Sequence, residues 1–190
     1  MTDKANDILI RPATLDDLPR LAALVERSFR GLARDHYTPD QIQAALGPAI
    51  RVDRGLVADG TYFAAELGGE IVGCGGWSAR IPTVNDAPLP SPHAEVRAMF
   101  VAPEHAGRGV GRALLRAAEG AIAGAGFAVS HLVATRSGVA FYRRAGYEAF
   151  AEHDVRLPGG QVLPCVCMRR RLAAEAPLHD PARIGDFRRA

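Results

Sequence analysis

Three cysteines in 190 residues cannot make a disulfide framework, because the count is odd and Cys165 and Cys167 are only two positions apart. A reducing compartment is implied, and a cytoplasmic location is the expectation. No apolar run approaches the roughly 18 residues of a membrane-spanning helix, and the opening MTDKANDILIRPA lacks an apolar stretch of signal-peptide length. An excess of one charge is missing too: 23 Lys+Arg against 21 Asp+Glu leave a net charge of +2, too little to argue for a nucleic-acid or membrane partner. The six histidines show no metal spacing, and Cys165-Val166-Cys167 has no second Cys/His pair to complete four zinc ligands, so no metal is expected. No repeat, low-complexity block or linker divides the chain. What is present, 48% hydrophobic and 23% charged residues, is ordinary for a globular protein. One domain over residues 1–172 is expected, with 173–190, which hold two prolines and no clean periodicity, as a flexible C-terminal tail.

Period-two and period-3.6 segments alternate along the chain, which reads as mixed α/β. A strand at 8–11 leads to Thr14, a good N-cap, with Asp16 and Asp17 in the first turn where the helix dipole favours carboxylates. Leu18, Leu21, Ala22, Val25 and Phe29 form the apolar stripe of that helix, and Gly31 is expected to stop it. A second helix starts at Thr38 with Pro39 at its first position. Strands over 61–67 and 70–78, joined by Gly68-Gly69, suit an antiparallel hairpin. The proline-rich stretch 81–92 reads as a surface loop. Residues 94–102 form a strand apolar on both faces beyond Arg97, which suits a central position. A helix over 108–123 buries Val110, Leu114, Ala118 and Ile122, and a strand over 127–134 completes a right-handed parallel crossover. A short helix over 137–145 closes at Gly146, followed by strands over 147–157 and 162–170.

The most informative segment is VAPEHAGRGVGRALL, 101–115, in which a strand runs through a short turn carrying Gly107, Gly109 and Gly111 straight into a helix. Glycine lets backbone N–H groups approach a ligand closely, and the unpaired N–H groups of a helix start bind phosphate. An anion site follows. A P-loop would end in GKS or GKT, whereas this turn ends in Gly111-Arg112-Ala113, and the third glycine of a dinucleotide fingerprint fails in both registers, at Arg112 and at Leu114.

These residues resemble the signature of the GNAT superfamily, the acyl-CoA-dependent N-acetyltransferases, whose turn reads R/Q-x-x-G-x-G/A. Gly109 and Gly111 match, while Ala106 stands where the motif has Arg or Gln and so lacks one polar contact. AFYRRAGY, 140–147, resembles the family's second signature, ILIRPATLDDLPRLAAL its first strand and helix, and GEIVGCGGW its third strand. The resemblance spans about 8–172 and implies a central mixed, mostly antiparallel sheet with a splayed parallel strand pair and helices on both faces.

It also implies acyl transfer from acetyl-CoA directly to an amine of a small molecule, peptide or protein. The backbone of Met99, Phe100 and Val101 is the candidate for holding the pantetheine arm and polarising the acyl carbonyl; their side chains read as core. The diphosphate would sit on amides of Ala106, Gly107, Arg108, Gly109, Val110, Gly111 and Arg112, with Arg108, Arg112 and Arg116 on one helical face, Arg116 reading as solvated. Tyr142 matches the family's general acid, and Glu95 resembles in placement the glutamate used as base, with His93 or water as alternatives. Cys74 reads as a small buried hydrophobe rather than an acyl-carrying nucleophile. Trp77, Ser78, Arg80 and the stretch 34–41 are expected beside the acceptor, and the last strand is a candidate for pairing across a two-fold axis in a homodimer. The alternatives are an acyl-CoA-binding or regulatory module without catalysis, and a nucleotide-binding enzyme.

Overall fold

The computed structural model describes residues 7–79, 83–84, 87–88 and 93–172. In chain order the strands are β1 (Leu9–Pro12), β2 (Tyr62–Leu67), β3 (Glu70–Ser78), β4 (Thr83–Val84), β5 (Ala87–Pro88), β6 (Ala94–Val101), β7 (Val129–Thr135), β8 (Glu148–Arg156) and β9 (Val162–Arg171). The helices are α1 (Leu18–Leu32), α2 (Pro39–Ala45), α3 (Arg54–Ala58), α4 (Val110–Gly124) and α5 (Arg136–Arg144). Seven strands form one sheet in the order β1-β2-β3-β6-β7-β9-β8, and β4 pairs only with β5. The pair β6–β7 is parallel and the other pairs are antiparallel, so the strand that is apolar on both faces does lie at the centre. The last strand lies between β7 and β8 with both edges occupied; the open edge on that side belongs to β8. The 81–92 reading lies largely, and the tail reading wholly, outside the described residues.

Helices cover both faces. Leu21, Leu24, Val25 and Phe29 of α1 pack with residues of α2 and α3 against Tyr62, Ala64 and Cys74 on one face. Leu115, Ala118 and Ile122 of α4 and Tyr142 of α5 pack against Ala94, Val96, Leu132 and Met168 on the other. Ala22, expected in the α1 stripe, is exposed, and Leu24 takes the buried place.

Local chemistry fixes the start of α1. Asp17, 1% exposed, accepts hydrogen bonds from the Thr14 amide at 2.9 Å and from Arg11 Nη1 at 2.7 Å, and Arg11 also reaches Glu66 of β2. The Arg11 guanidinium holds the Asp17 carboxyl well below the usual carboxylate range. Gly31 does not stop α1, which runs on to Leu32. Its role is contact: a Cβ there would lie 2.6 Å from Pro103 Cγ, so glycine lets the turn after β6 approach the helix. The five-residue α3, capped by Asp53 Oδ1 accepting from the amides of Gly55 and Leu56, was not anticipated, being too short to show a period.

Glycines separate by their surroundings. A Cβ on Gly76 would collide with the Thr61 carbonyl oxygen, whereas one on Gly120, exposed in α4, meets nothing within 4 Å. Gly76→Ala is therefore expected to destabilise by about 3 kcal/mol through backbone overlap, and Gly120→Ala to stabilise by about 1 kcal/mol through helix propensity. Urea midpoints of the two variants check this; equal shifts of the same sign would contradict it.

Candidate functional site

β6 and β7 are paired only at Ala94↔Ser130 and Glu95↔His131, and beyond those residues they part. Between them opens a cavity of about 970 Å³, lined by β6 from Glu95 to Val101 and by Val133, Ala134 and Thr135 of β7. Its roof includes Ser28, Phe29 and Leu32 of α1 and the segment Pro48–Arg51 with Asp53. The parting leaves backbone groups of β6 without a strand partner on the β7 side, and one of them, the Val101 amide, donates to Ser28 Oγ at 3.2 Å instead.

β6 also carries a bulge. Cys74 pairs with Phe100 and Gly76 with Arg97, so Ala98 and Met99 together face Gly75 alone. Ala98 has φ +49°, the one positive value at a non-glycine among the described residues. Gly75 opposite it leaves room for the Met99 side chain, whose Sδ a Cβ there would overlap. The register change puts Ala98 and Phe100 against the α1-side core and Met99 against the α4-side core.

At the far end of β6, Pro103–His105 make one 3₁₀ turn, Gly107 and Gly109 sit at φ +75° and +91°, and Gly109 is the N-cap of α4. An L side chain is strained at both glycines, which brings the first amides of α4 to the cavity rim without side-chain cover. Ala106, Gly107, Gly109, Gly111 and Arg112 line the cavity; Val110 is buried and anchors the helix instead. Arg108 is exposed with Nη1 3.4 Å from His105 Nδ1, and neither it nor Arg116 is among the lining residues.

Tyr142 and Glu95 both line this cavity. Tyr142, 8% exposed, is packed between the rings of Phe141 and Tyr147, at 5.0 and 5.7 Å, and burial raises its phenol above the usual 10. Glu95, 5% exposed, has Arg97 Nη1 3.7 Å from Oε2, too far for a hydrogen bond, and Oε2 has no hydrogen-bond partner among the described residues. Burial outweighs that cation and pushes the carboxyl up to about 7. His93 is buried beside the His131 ring at 5.2 Å, outside the cavity lining.

Several expected placements change. Trp77 packs edge-on against Phe127 and with Ser78 lines a separate depression of about 360 Å³, because β3 at that point lies against β6 and away from the cleft. Arg80 lies outside the described residues. None of residues 34–41 lines the cavity; that wall comes from Pro48–Arg51 and Asp53. Tyr37 in that stretch instead donates to the Pro164 carbonyl at 2.7 Å and accepts from the Arg136 amide at 2.7 Å, tying the start of α5 to β9. Cys74 is fully buried outside the cavity with its thiol pushed up to about 12, and no group of three His, Cys, Asp or Glu able to hold a metal occurs among the described residues. Sequence reasoning missed Ser28, Asp53, Thr135, Ser137, Arg144 and His153 as lining residues. Asp53 and Thr135 carried a local signal, as residue types that cap helices, and they stand at the N-caps of α3 and α5. No helix among the described residues is long and apolar enough to cross a membrane.

A sequence model of the acetyltransferase (GNAT) domain matches residues 58–149, from just before β2 into β8. No curated protein matches. Among solved structures, a GCN5-related N-acetyltransferase from Rhodopseudomonas palustris aligns with TM-score 0.71 at 24% identity, over 88% of this chain and 98% of its own. One from Ralstonia eutropha JMP134 aligns with TM-score 0.59 at 28% identity, over 80% and 100%. The PaiA N-acetyltransferase from Thermoplasma acidophilum, solved with coenzyme A, gives TM-score 0.61 at 16% identity, over 87% and 99%.

The buried Glu95 has a consequence for stability. Its native pKa, near 7, lies above the ordinary 4.5, so between those values the folded chain holds the proton more tightly than the unfolded chain and stability falls as pH rises. The loss approaches about 3 kcal/mol once the carboxyl is ionised. Glu95→Gln is expected to gain on the parent at pH 8 and not at pH 4.5, as read from denaturant midpoints at both pH values; an equal difference at both would show that Glu95 is not held protonated by the fold.

Proposed function

We propose that this chain, which belongs to the GNAT superfamily, transfers an acetyl group from acetyl-CoA directly to an amine of a small molecule or peptide. The observation that carries the reading is that one cleft between parted parallel strands is lined by the glycine-rich start of α4, by Tyr142 and by Glu95. The glycine turn suits a diphosphate, since Gly107 and Gly109 clear side chains from the helix start, and exposed Arg112 adds a cation at the rim. The backbone of Met99 to Val101, which has no strand partner on the β7 side, suits the amides of a pantetheine arm. The thioester would supply an activated acyl group and a thiolate leaving group.

The residues then have distinct tasks. An amine near pKa 10 is mostly protonated at neutral pH, so a base must accept its proton. Glu95, held at about 7 by burial, is half-ionised at that pH and accepts more readily than a solvated carboxylate would. Tyr142 keeps its proton because burial raises it further above the thiol's usual 8.5, so it stabilises the leaving sulphur by donating a hydrogen bond rather than by full transfer. Among the described residues of the cleft the one cysteine is not an activated nucleophile, which favours direct transfer: Cys165 is pushed up to about 11 by burial.

Release of free coenzyme A from acetyl-CoA in the presence of an amine panel tests the activity and separates it from a binding module that has lost catalysis. Tyr142→Phe is expected to lower kcat about ten-fold or more with coenzyme A affinity nearly unchanged. Gly109→Leu should weaken coenzyme A binding by about ten-fold or more in calorimetry, through strain at the helix start. The kcat/KM profile should rise through about pH 7 with Glu95 ionisation and lose that limb in Glu95→Gln. Unchanged turnover in Tyr142→Phe would remove Tyr142 from the mechanism, and a retained limb would pass the base role to water or His93.

A further inference from the structure

The bulge in β6 is held from two strands away. Tyr62 of β2, fully buried, donates its hydroxyl proton to the Ala98 carbonyl at 2.9 Å, with Cys74 Sγ of the intervening β3 at 3.3 Å. Ala98 is the residue at φ +49°, where an alanine is strained and stays only if its surroundings hold it. Tyr62 is the partner that holds it. The buried Tyr62 hydroxyl makes this hydrogen bond only while the bulge persists, and flattening the bulge would leave it with the weaker acceptor Cys74 Sγ alone.

The clamp acts on the cleft through peptide geometry. In a planar trans peptide the C=O and the following N–H point in opposite directions. Fixing the Ala98 carbonyl towards Tyr62, which lies on the β3 side of β6, therefore turns the Met99 N–H the other way, to the side where β7 has parted. We infer that Tyr62 is a positioning residue: by holding Ala98 in its strained conformation, it aims the Met99 amide at the acyl group. The inference rests on the acetyl-transfer reading above. Burial holds the Tyr62 phenol well above its usual range, so the donor proton is present at every working pH. Gly75 and Gly76 complete the device, since Met99 and the backbone of Thr61 and Tyr62 occupy the space that Cβ atoms there would need.

Tyr62→Phe removes the hydroxyl alone, and Ala98→Gly removes the strain that the hydroxyl offsets. Steady-state kinetics on folded protein should show kcat down about ten-fold in Tyr62→Phe, with KM for the amine within about two-fold. The double variant Tyr62→Phe/Ala98→Gly should recover most of the lost kcat, because glycine holds a positive φ unaided. A crystal structure of Tyr62→Phe should show Ala98 at negative φ. A wild-type kcat in Tyr62→Phe accompanied only by a lower Tm, a double variant with no recovery, or a retained positive φ would each overturn the positioning role. A parent protein that neither binds coenzyme A nor releases it from acetyl-CoA would overturn the acetyl-transfer reading instead, while the Ala98 φ in the variant crystal still decides whether Tyr62 clamps the bulge.

Discussion

Two neighbouring parallel strands that bond for two residue pairs and then separate set the terms for the rest of this molecule. Each backbone group left without a ladder partner costs free energy unless something else satisfies it. The chain meets that cost locally, as where Ser28 from α1 supplies an acceptor for the Val101 amide. The sheet stays whole because separation is confined to one junction: β6 is secured to β3 and β7 to β9 along most of their lengths. The core on either face then fixes the helices, α1 above the cleft and α4 with its glycine start at the cleft's end. The cavity is thus a consequence of topology, and its lining is drawn from segments far apart in sequence.

Burial does two different things to the ionisable groups in that cavity. It holds a carboxyl close to neutrality at Glu95, where the nearby Arg97 does not offset the loss of water, and it keeps a phenol protonated at Tyr142. One environment therefore produces a group that can take a proton near pH 7 and a group that keeps one throughout. Charged side chains that are merely solvated, such as Arg108 and Arg116, lie outside this environment. The strain at Ala98 belongs with these features: it is concentrated on the strand that lines the cavity, and Tyr62 of β2 donates a hydrogen bond to the carbonyl of the strained residue.

Much of this was legible in the sequence because it is local. Period-two runs marked the hairpin of β2 and β3, Thr38-Pro39 marked the start of α2, and the spacing of Val110, Leu114, Ala118 and Ile122 marked the buried face of α4. The glycine turn was readable because its chemistry needs glycine at positive φ. The bulge was not, since an alanine at φ +49° carries no compositional sign and only a partner 36 residues away explains it. The cavity wall from 48–53 and the tie from Tyr37 to α5 were hidden for the same reason: they arise where distant segments meet. Gly31 shows the converse error, a glycine whose function is close packing but whose local signature reads as a helix stop.

The central claim is that the space between β6 and β7 receives the acyl-CoA. Amide hydrogen exchange of the purified protein, with and without saturating acetyl-CoA, addresses it without requiring the acceptor to be known. The account predicts slowed exchange concentrated at residues 96–101 of β6 and 106–112 at the start of α4. Exchange unaltered in both segments at saturating ligand, or slowed only elsewhere, would contradict it.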